Sequence, residues 1–329
     1  MKSLVIGGTL FIGRVLVSKL LQRGHQVSVL HRKPNHDLGP DVEGLQADRN
    51  DSLAVAAAIQ GRTFDYVFDN VFDFTRGTTG PQVEATARLF TQLKRYVFIS
   101  SVASYGETRP GVRTEDDALA PDDHPNLYAR FKAMSERSLL QMHRDEGFPA
   151  VTLRPPFVYG PGNPYYREAF FWQRFADGRP VIVPEDGERI MQFVHVEDLA
   201  ECEILAAEKE AAVGQAFNIA EISGVSQNDF VRTLGRVAGV AEPKMVHIAR
   251  EKLVEAGGNA MGPKYYFGEY LDLPPLPQDC SKMQRMLGFT PRTLESGMAA
   301  TYEWWRSGGR SAYPKADYSF EDSALSSLS

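Results

Sequence analysis

Tyr128 and Lys132 stand four residues apart in Tyr128-Ala129-Arg130-Phe131-Lys132, so a helix there puts both side chains on one face. A phenol ionises near pH 10, too high for a base at neutral pH. An ammonium beside it, with a positive nicotinamide nearby, favours the phenolate. Such a tyrosine exchanges a proton with a substrate hydroxyl while hydride moves to or from the cofactor. The lysine can also bond the nicotinamide ribose. Upstream, Phe98-Ile99-Ser100-Ser101 closes an apolar run with two serines. A serine hydroxyl at that place can donate to a carbonyl oxygen that is gaining charge.

A third motif supplies a seat for the cofactor. Gly7-Gly8-Thr9-Leu10-Phe11-Ile12-Gly13 lies between an apolar run at Ser3–Ile6 and a helical stripe at Phe11–Arg23. A dinucleotide pyrophosphate needs a tight turn, close backbone approach and a helix N-terminus aimed at it. Gly7 can make the turn and Gly13 lets the helix pack closely, with the backbone of Thr9, Leu10, Phe11 and Ile12 between them. The second β-rich run ends in Leu30-His31-Arg32-Lys33, with no carboxylate for a ribose 2′-hydroxyl. Arg32 suits a 2′-phosphate instead, which points from NAD(P) in general to NADP. Asp48, after the third run, can accept from the adenine amino group, while Asp51 is placed to cap the next helix.

These motifs need a scaffold that alternates strands with helices. Strands are expected at Ser3–Ile6, Gln26–Leu30, Leu45–Ala47, Asp65–Val71, Arg95–Ser100 and Ala150–Leu153, and helices at Phe11–Arg23, Ser52–Gln60, Val83–Leu93 and Tyr128–His143. That pattern is a Rossmann-type α/β fold, a doubly wound parallel sheet, over residues 1–155, with later segments returning to it. Pro155, Pro156, Gly160, Pro161, Gly162 and Pro164 then crowd into a rigid loop. Residues 156–310 read as a smaller mixed α/β substrate lobe, and the Ser-rich 311–329 as a loosely ordered tail. Phe170, Phe171, Trp172 and Phe175 form a core stripe, and Trp304 and Trp305 anchor the last helix.

Taken together the motifs resemble the extended short-chain dehydrogenase/reductases, in the NAD-dependent epimerase/dehydratase family. Further landmarks are Leu153-Arg154-Pro155-Pro156-Phe157-Val158-Tyr159-Gly160, then Phe193-Val194-His195-Val196-Glu197-Asp198-Leu199-Ala200, then Phe217-Asn218-Ile219. The resemblance implies a catalytic trio of Ser101, Tyr128 and Lys132. It implies cofactor contacts at Asn70, Val71, Ser100, Pro155, Phe157 and Val158, and substrate contacts at Ser101, Asn163 and Arg189. A sugar or nucleotide sugar is the implied substrate, and pairing through the helices Val83–Leu93 and Tyr128–His143 the implied homodimer.

Four departures shape that expectation. Leu10 stands where the family usually has glycine, as in the atypical branch of the chloroplast stem-loop-binding proteins, which this chain also resembles at Val181–Ala200 and Met245–Gly258. Members of that branch tend to lose the tyrosine, whereas Tyr128 and Lys132 are present. Val102 and Ala103 replace the acid that sugar 4,6-dehydratases carry after the serine, which disfavours dehydration. Met191-Gln192 replaces an Arg-Asp pair of nucleotide-sugar enzymes, with Arg189 displaced by two positions.

Composition bounds the remaining classes. Among 329 residues, 36 Lys and Arg against 42 Asp and Glu leave a net charge of −6, which argues against a general nucleic-acid or anionic-membrane binder. An RNA-binding or regulatory protein that keeps only the fold is the rival reading. No apolar run reaches transmembrane length and the N-terminus lacks a signal-peptide pattern, so a cytoplasmic protein is expected. Cys202 and Cys280 read as ordinary thiols, His31 and His36 as surface histidines, and His195 as structural; no metal site is expected.

Overall fold

The computed structural model describes residues 1–106 and 111–326. The chain divides into two compact units, residues 1–158, 194–222 and 278–291, and residues 159–193, 223–277 and 292–329. The expected boundary at 155 falls close to the first crossing, and the chain then returns twice to the first unit. It does so because the second half supplies that unit with two helices and its last strand.

The first unit is built on one parallel sheet. Its strands are β1 (Lys2–Ile6), β2 (Gln26–His31), β3 (Val42–Gln46), β4 (Tyr66–Asp69), β5 (Arg95–Ile99) and β6 (Ala150–Arg154), with Ala216–Asn218 as the seventh. From one edge the order is Ala216–Asn218, β6, β5, β4, β1, β2, β3. Order reverses between β1 and β4, and ligands of open α/β sheets gather outside the carboxyl ends at such a point. The inner strands are buried on both faces and rich in Val, Ile, Leu and Phe, as a sheet covered by helices requires, while the edge strand β3 leaves Glu43, Gly44 and Gln46 exposed. One face packs on α1 (Phe11–Gln22) and the helices Val196–Glu208 and Ser281–Leu287. The other packs on α2 (Ser52–Ile59), α3 (Gly80–Ala87) and α4 (Leu127–Glu146). Asp51 caps α2 as expected, accepting from the amides of Leu53 and Ala54. The third helix stops at Ala87 rather than Leu93, and the third strand starts earlier than expected.

Two polar knots explain sequence landmarks. Arg154 donates from Nε to Glu136 (2.8 Å) and from Nη1 to the Tyr105 hydroxyl (2.6 Å). Asn218 accepts from that hydroxyl (2.7 Å) and donates to the carbonyls of Arg113 and Asp279. The segment Phe217-Asn218-Ile219 thus stitches three separate stretches to the edge of the sheet. His195 is structural, its Nδ1 accepting from the amide of Glu197 at the start of the Val196–Glu208 helix.

The second unit holds the aromatic core that the sequence placed there. Phe170, Phe171 and Trp172 are buried; Phe171 packs edge-on against Phe230, and Trp172 lies against Trp305. Residues 311–326 are not a loose tail. Ser319–Ser326 is a helix whose Phe320 is buried, and Glu321 pairs with the buried Arg174. The serine-rich composition hid one apolar and one ionic anchor. Among the described residues no helix is long and apolar enough to cross a membrane.

Asp272 is the ionic centre of the second unit. It accepts from Arg250 Nε (2.6 Å), Gln227 (2.9 Å), Tyr266 (2.8 Å) and Arg189 Nη1 (3.1 Å). Burial pushes its carboxyl up, but hydrogen bonds from Arg250, Gln227 and Tyr266 outweigh it and hold the pKa below the usual value. Its stabilisation is therefore complete above the unfolded pKa near 3.9 and drains as pH falls through the lower folded value. Asp272→Asn should cost about 3 kcal/mol at pH 7 and flatten the acid limb of stability, as urea unfolding across pH 2 to 7 would show.

Candidate active site

The glycine turn after β1 is built for close approach. Gly7 has φ of 87°, donates its amide to Leu30, and lies so near Val71 that a Cβ would sit 2.5 Å from Val71 Cγ2. A Cβ on Gly13 would sit 2.2 Å from the Gly7 carbonyl oxygen, so only glycine lets α1 start there. Phe11 takes a positive φ of 30°, a costly conformation of the kind that collects at functional turns. The first turn of α1 has neither a side-chain cap nor an acid. Its amide donors and positive dipole end are thus left for an anion. Leu10 is 71% exposed and does not fill the turn. Thr9 offers its carbonyl to Arg14, and Ile12 packs into the core beside Gly13. The residues present therefore fit a dinucleotide.

Beside the turn, three strand ends contribute a charged group that the sequence showed only in part. Arg32, after β2, is 68% exposed and pairs with Asp73 at 3.3 Å. Arg76 pairs with Asp73 at 2.7 Å and with Asp48, after β3, at 2.6 Å. The Arg76 hydrogen bonds hold the Asp73 carboxyl down to about 2. Asp48 is thus engaged by a cation, and Arg76 joins Arg32 as a second candidate for an anionic 2′-substituent. The Asp73–Arg76 spacing was the available signal; the reach of Arg76 to Asp48 had none.

The trio follows from β5 and α4. Ser101 caps a short 3-10 turn at Val102–Tyr105, its Oγ accepting from the amide of Ala103 at 3.1 Å. The serine turn is pinned to the end of β6, since Ser100 donates its amide to Leu153 and Val102 donates to Pro155. Ser100 Oγ is buried without a partner among the described residues. Asn126 starts α4, accepting from the amides of Tyr128 and Ala129. One helical turn on, Lys132 is buried and its Nζ donates to the Ile99 carbonyl, the last of β5, at 2.6 Å. That Nζ lies 4.8 Å from the Phe98 ring centroid and 6.0 Å from that of Tyr128. Tyr128 packs edge-on against Phe72 (4.8 Å) and is stacked on Phe74 (5.6 Å). The sequence reading missed this aromatic wall, because Phe72 and Phe74 lie in a loop without periodicity.

Burial pulls the Lys132 pKa down to about 7, with Asp69 resisting, Arg49 adding to the fall and Glu136 resisting. Asp69 is itself fully buried, accepting from Arg49 (2.5 Å) and from the Tyr96 hydroxyl (2.7 Å). A lysine near 7 is a poised group, as expected where charge must respond to a ligand. Asn163 and Arg189 belong to the second unit. Asn163 bonds Glu168 at 3.0 Å, and Arg189 is tied to Asp272. Among the other expected contacts, Pro155 and Val158 are buried and Phe157 is half-buried in the first unit, after β6.

Lys132 also makes the site costly to the fold. Its folded pKa lies below the unfolded value, so the penalty is full below pH 7 and is relieved between about 7 and 10. Lys132→Met should therefore raise stability, most at acid pH, with the two proteins converging toward pH 10 in thermal unfolding.

Comparison with known proteins gives the family and the fold. Residues 3–220 match the model of the NAD dependent epimerase/dehydratase family. The chain is 28% identical to the chloroplast stem-loop binding protein of 41 kDa b from Arabidopsis thaliana, over 99% of this chain and 84% of that one. An epimerase from Methanothermobacter thermautotrophicus shares the fold at a TM-score of 0.76 and 18% identity, with 94% of each chain covered. MoeE5, solved with UDP-glucuronic acid and NAD, is 26% identical at a TM-score of 0.71, over 93% of this chain and 99% of that one.

Proposed function

The chain belongs to the NAD dependent epimerase/dehydratase family, and from that premise we propose that it is an NAD(P)-dependent oxidoreductase or epimerase. It acts on a hydroxyl or carbonyl of a small molecule, a sugar or nucleotide sugar. The observation that carries the reading is the seating of Lys132 on the end of β5, one turn from Tyr128 and one residue from Ser100. The substrate class is supported by MoeE5, whose structure holds a UDP-sugar and NAD.

Gly7, Gly13 and the uncapped start of α1 would hold the pyrophosphate, Asn70 and Val71 the adjoining ribose, and Arg32 with Arg76 a 2′-phosphate. Pro155, Phe157 and Val158 would flank the nicotinamide. The bound cofactor supplies a hydride acceptor or donor. Tyr128 moves the proton at the reacting oxygen, and Ser101 donates to that oxygen and orients it. Lys132, when protonated, favours the phenolate of Tyr128 and bonds the nicotinamide ribose. Val102 and Ala103 bring no acid to expel water, so dehydration is disfavoured. Helices α3 and α4, which pack on each other, are where a second copy would pair.

Tyr128→Phe should lower turnover by at least a hundredfold while leaving dinucleotide affinity within about threefold. Full activity in that variant would sink the mechanism. Arg32→Ala and Arg76→Ala should each weaken NADPH binding about tenfold and leave NADH binding nearly unchanged, by fluorescence titration. Salt-dependent RNA binding without dinucleotide binding would favour the stem-loop-binding reading that the plastid relative's name suggests.

A further inference from the structure

The helix Val196–Glu208 turns an apolar stripe toward the sheet. Val196, Leu199, Ala200, Ala206 and Ala207 are all buried in one cluster with Phe68 and Ile99. Glu203 sits in the middle of that stripe and is fully buried. Neither of its carboxyl oxygens has a hydrogen bond of good geometry. An amphipathic helix places Leu or Ile at such a position, and acids are almost never fully buried unless paired. Desolvation keeps this carboxyl neutral, pushing it up to about 8, with the Asn70 side chain pulling the other way.

Asn70 leads to the cofactor turn. It continues the alternation Tyr66, Phe68, Asn70, which is the sheet face that packs on α1 and the Glu203 helix. Its backbone amide bonds the Ile6 carbonyl, at the point where β1 passes into Gly7. The next residue, Val71, is the one that closes on Gly7. Both polar atoms of the Asn70 side chain are buried and, like those of Glu203, lack a well-formed hydrogen bond. Two polar groups have thus been placed in an apolar core directly beneath the dinucleotide turn, with one another as the available partner.

We infer that Glu203 is a positioning residue of the dinucleotide site: as a neutral acid it accepts an Asn70 amide N–H and steadies that side chain beneath the turn without placing a charge there. The inference rests on the dinucleotide reading above. A neutral carboxyl accepts an N–H without carrying charge, whereas a carboxylate accepts it more strongly and is negative. Ionisation of Glu203 therefore draws the Asn70 amide toward itself and puts a negative charge under the pyrophosphate position. Dinucleotide affinity should fall as pH rises through the titration of this one group.

The other charged groups on the elements around it are engaged elsewhere. On α1, Arg14 pairs with Asp37, and Lys19 and Arg23 with Glu201. Arg95 of β5 pairs with Glu210, and Arg154 of β6 with Glu136. On Ser281–Leu287, Lys282 lies over Phe217 and Arg285 bonds Ser281. On its own helix, Glu197 and Asp198 lie in the first turn and Glu208 pairs with Arg23, while the buried Cys202 thiol is pushed far above its usual value. Asp69 and Lys132 lie on the opposite face of the sheet, and Lys132 brings its own step near 7.

The test is NADPH fluorescence titration of the full chain from pH 6.5 to 9.5, beside infrared carboxyl spectra of the ligand-free protein. Between pH 7 and 9 the wild-type Kd should rise about tenfold from Glu203 alone, as one group titrating near 8 requires. Glu203→Gln, neutral at every pH, should lose that rise and keep the step near 7. Its spectrum at pH 7 should lack one protonated-carboxyl band that the wild type shows. If Glu203→Gln folds poorly, Glu203→Leu completes the apolar stripe and should bind more weakly but with the same loss of the rise. A glutamine variant that keeps the wild-type pH profile, or that removes no protonated-carboxyl band, overturns the inference. Absence of NADPH binding by the wild type at every pH would instead overturn the dinucleotide reading on which it rests.

Discussion

One hydrogen bond fixes the candidate centre: Lys132 Nζ on the carbonyl of Ile99. It fastens α4 to the carboxyl end of β5, and so sets Tyr128 relative to the strand that carries Ser100 and Ser101. The bond is made in a buried place lined by Phe72, Phe98 and Tyr128, where an ammonium is poorly solvated. Asp69 on the neighbouring β4 resists that loss, and is in turn held by Arg49 and Tyr96. The fold thus carries a buried lysine whose charge burial makes costly, as poised groups at functional sites are.

What the sequence revealed of the fold follows from local physics. The glycine turn, the alternation of β-rich runs with helices, and the cap at Asp51 are short-range signals, and each appears where expected. Ala216–Asn218 reads as a short strand from the sequence, and only its pairing with Thr152–Arg154 places it beside β6 as the seventh. The C-terminal helix was misread because its order rests on Phe320 and Glu321 in a stretch that is otherwise small and polar.

The arrangement of the candidate site was legible to the same extent. Tyr128 and Lys132 share a helix face by spacing alone, and Ser101 is recognised by its place after a strand. Arg49, Asp69 and Arg76 act through partners far away in sequence, so no spacing announces them. Glu203 left a signal that could have been used, an acid at the centre of an apolar stripe. Leu10 departs from the family pattern, yet its exposed side chain leaves the turn open, because Gly7 and Gly13 carry the steric requirement. The charges around Arg32 and Arg76 are balanced by Asp48 and Asp73, so a 2′-phosphate binding there would compete with those carboxylates.

The central claim is that this chain holds a working dinucleotide site. The direct measurement is calorimetric titration with NADPH, NADP, NADH and NAD, after any co-purified nucleotide has been stripped and identified. The account predicts binding of at least one pair, tighter for the 2′-phosphorylated forms through Arg32 and Arg76. Failure of all four to bind would contradict it and leave the fold without its redox chemistry.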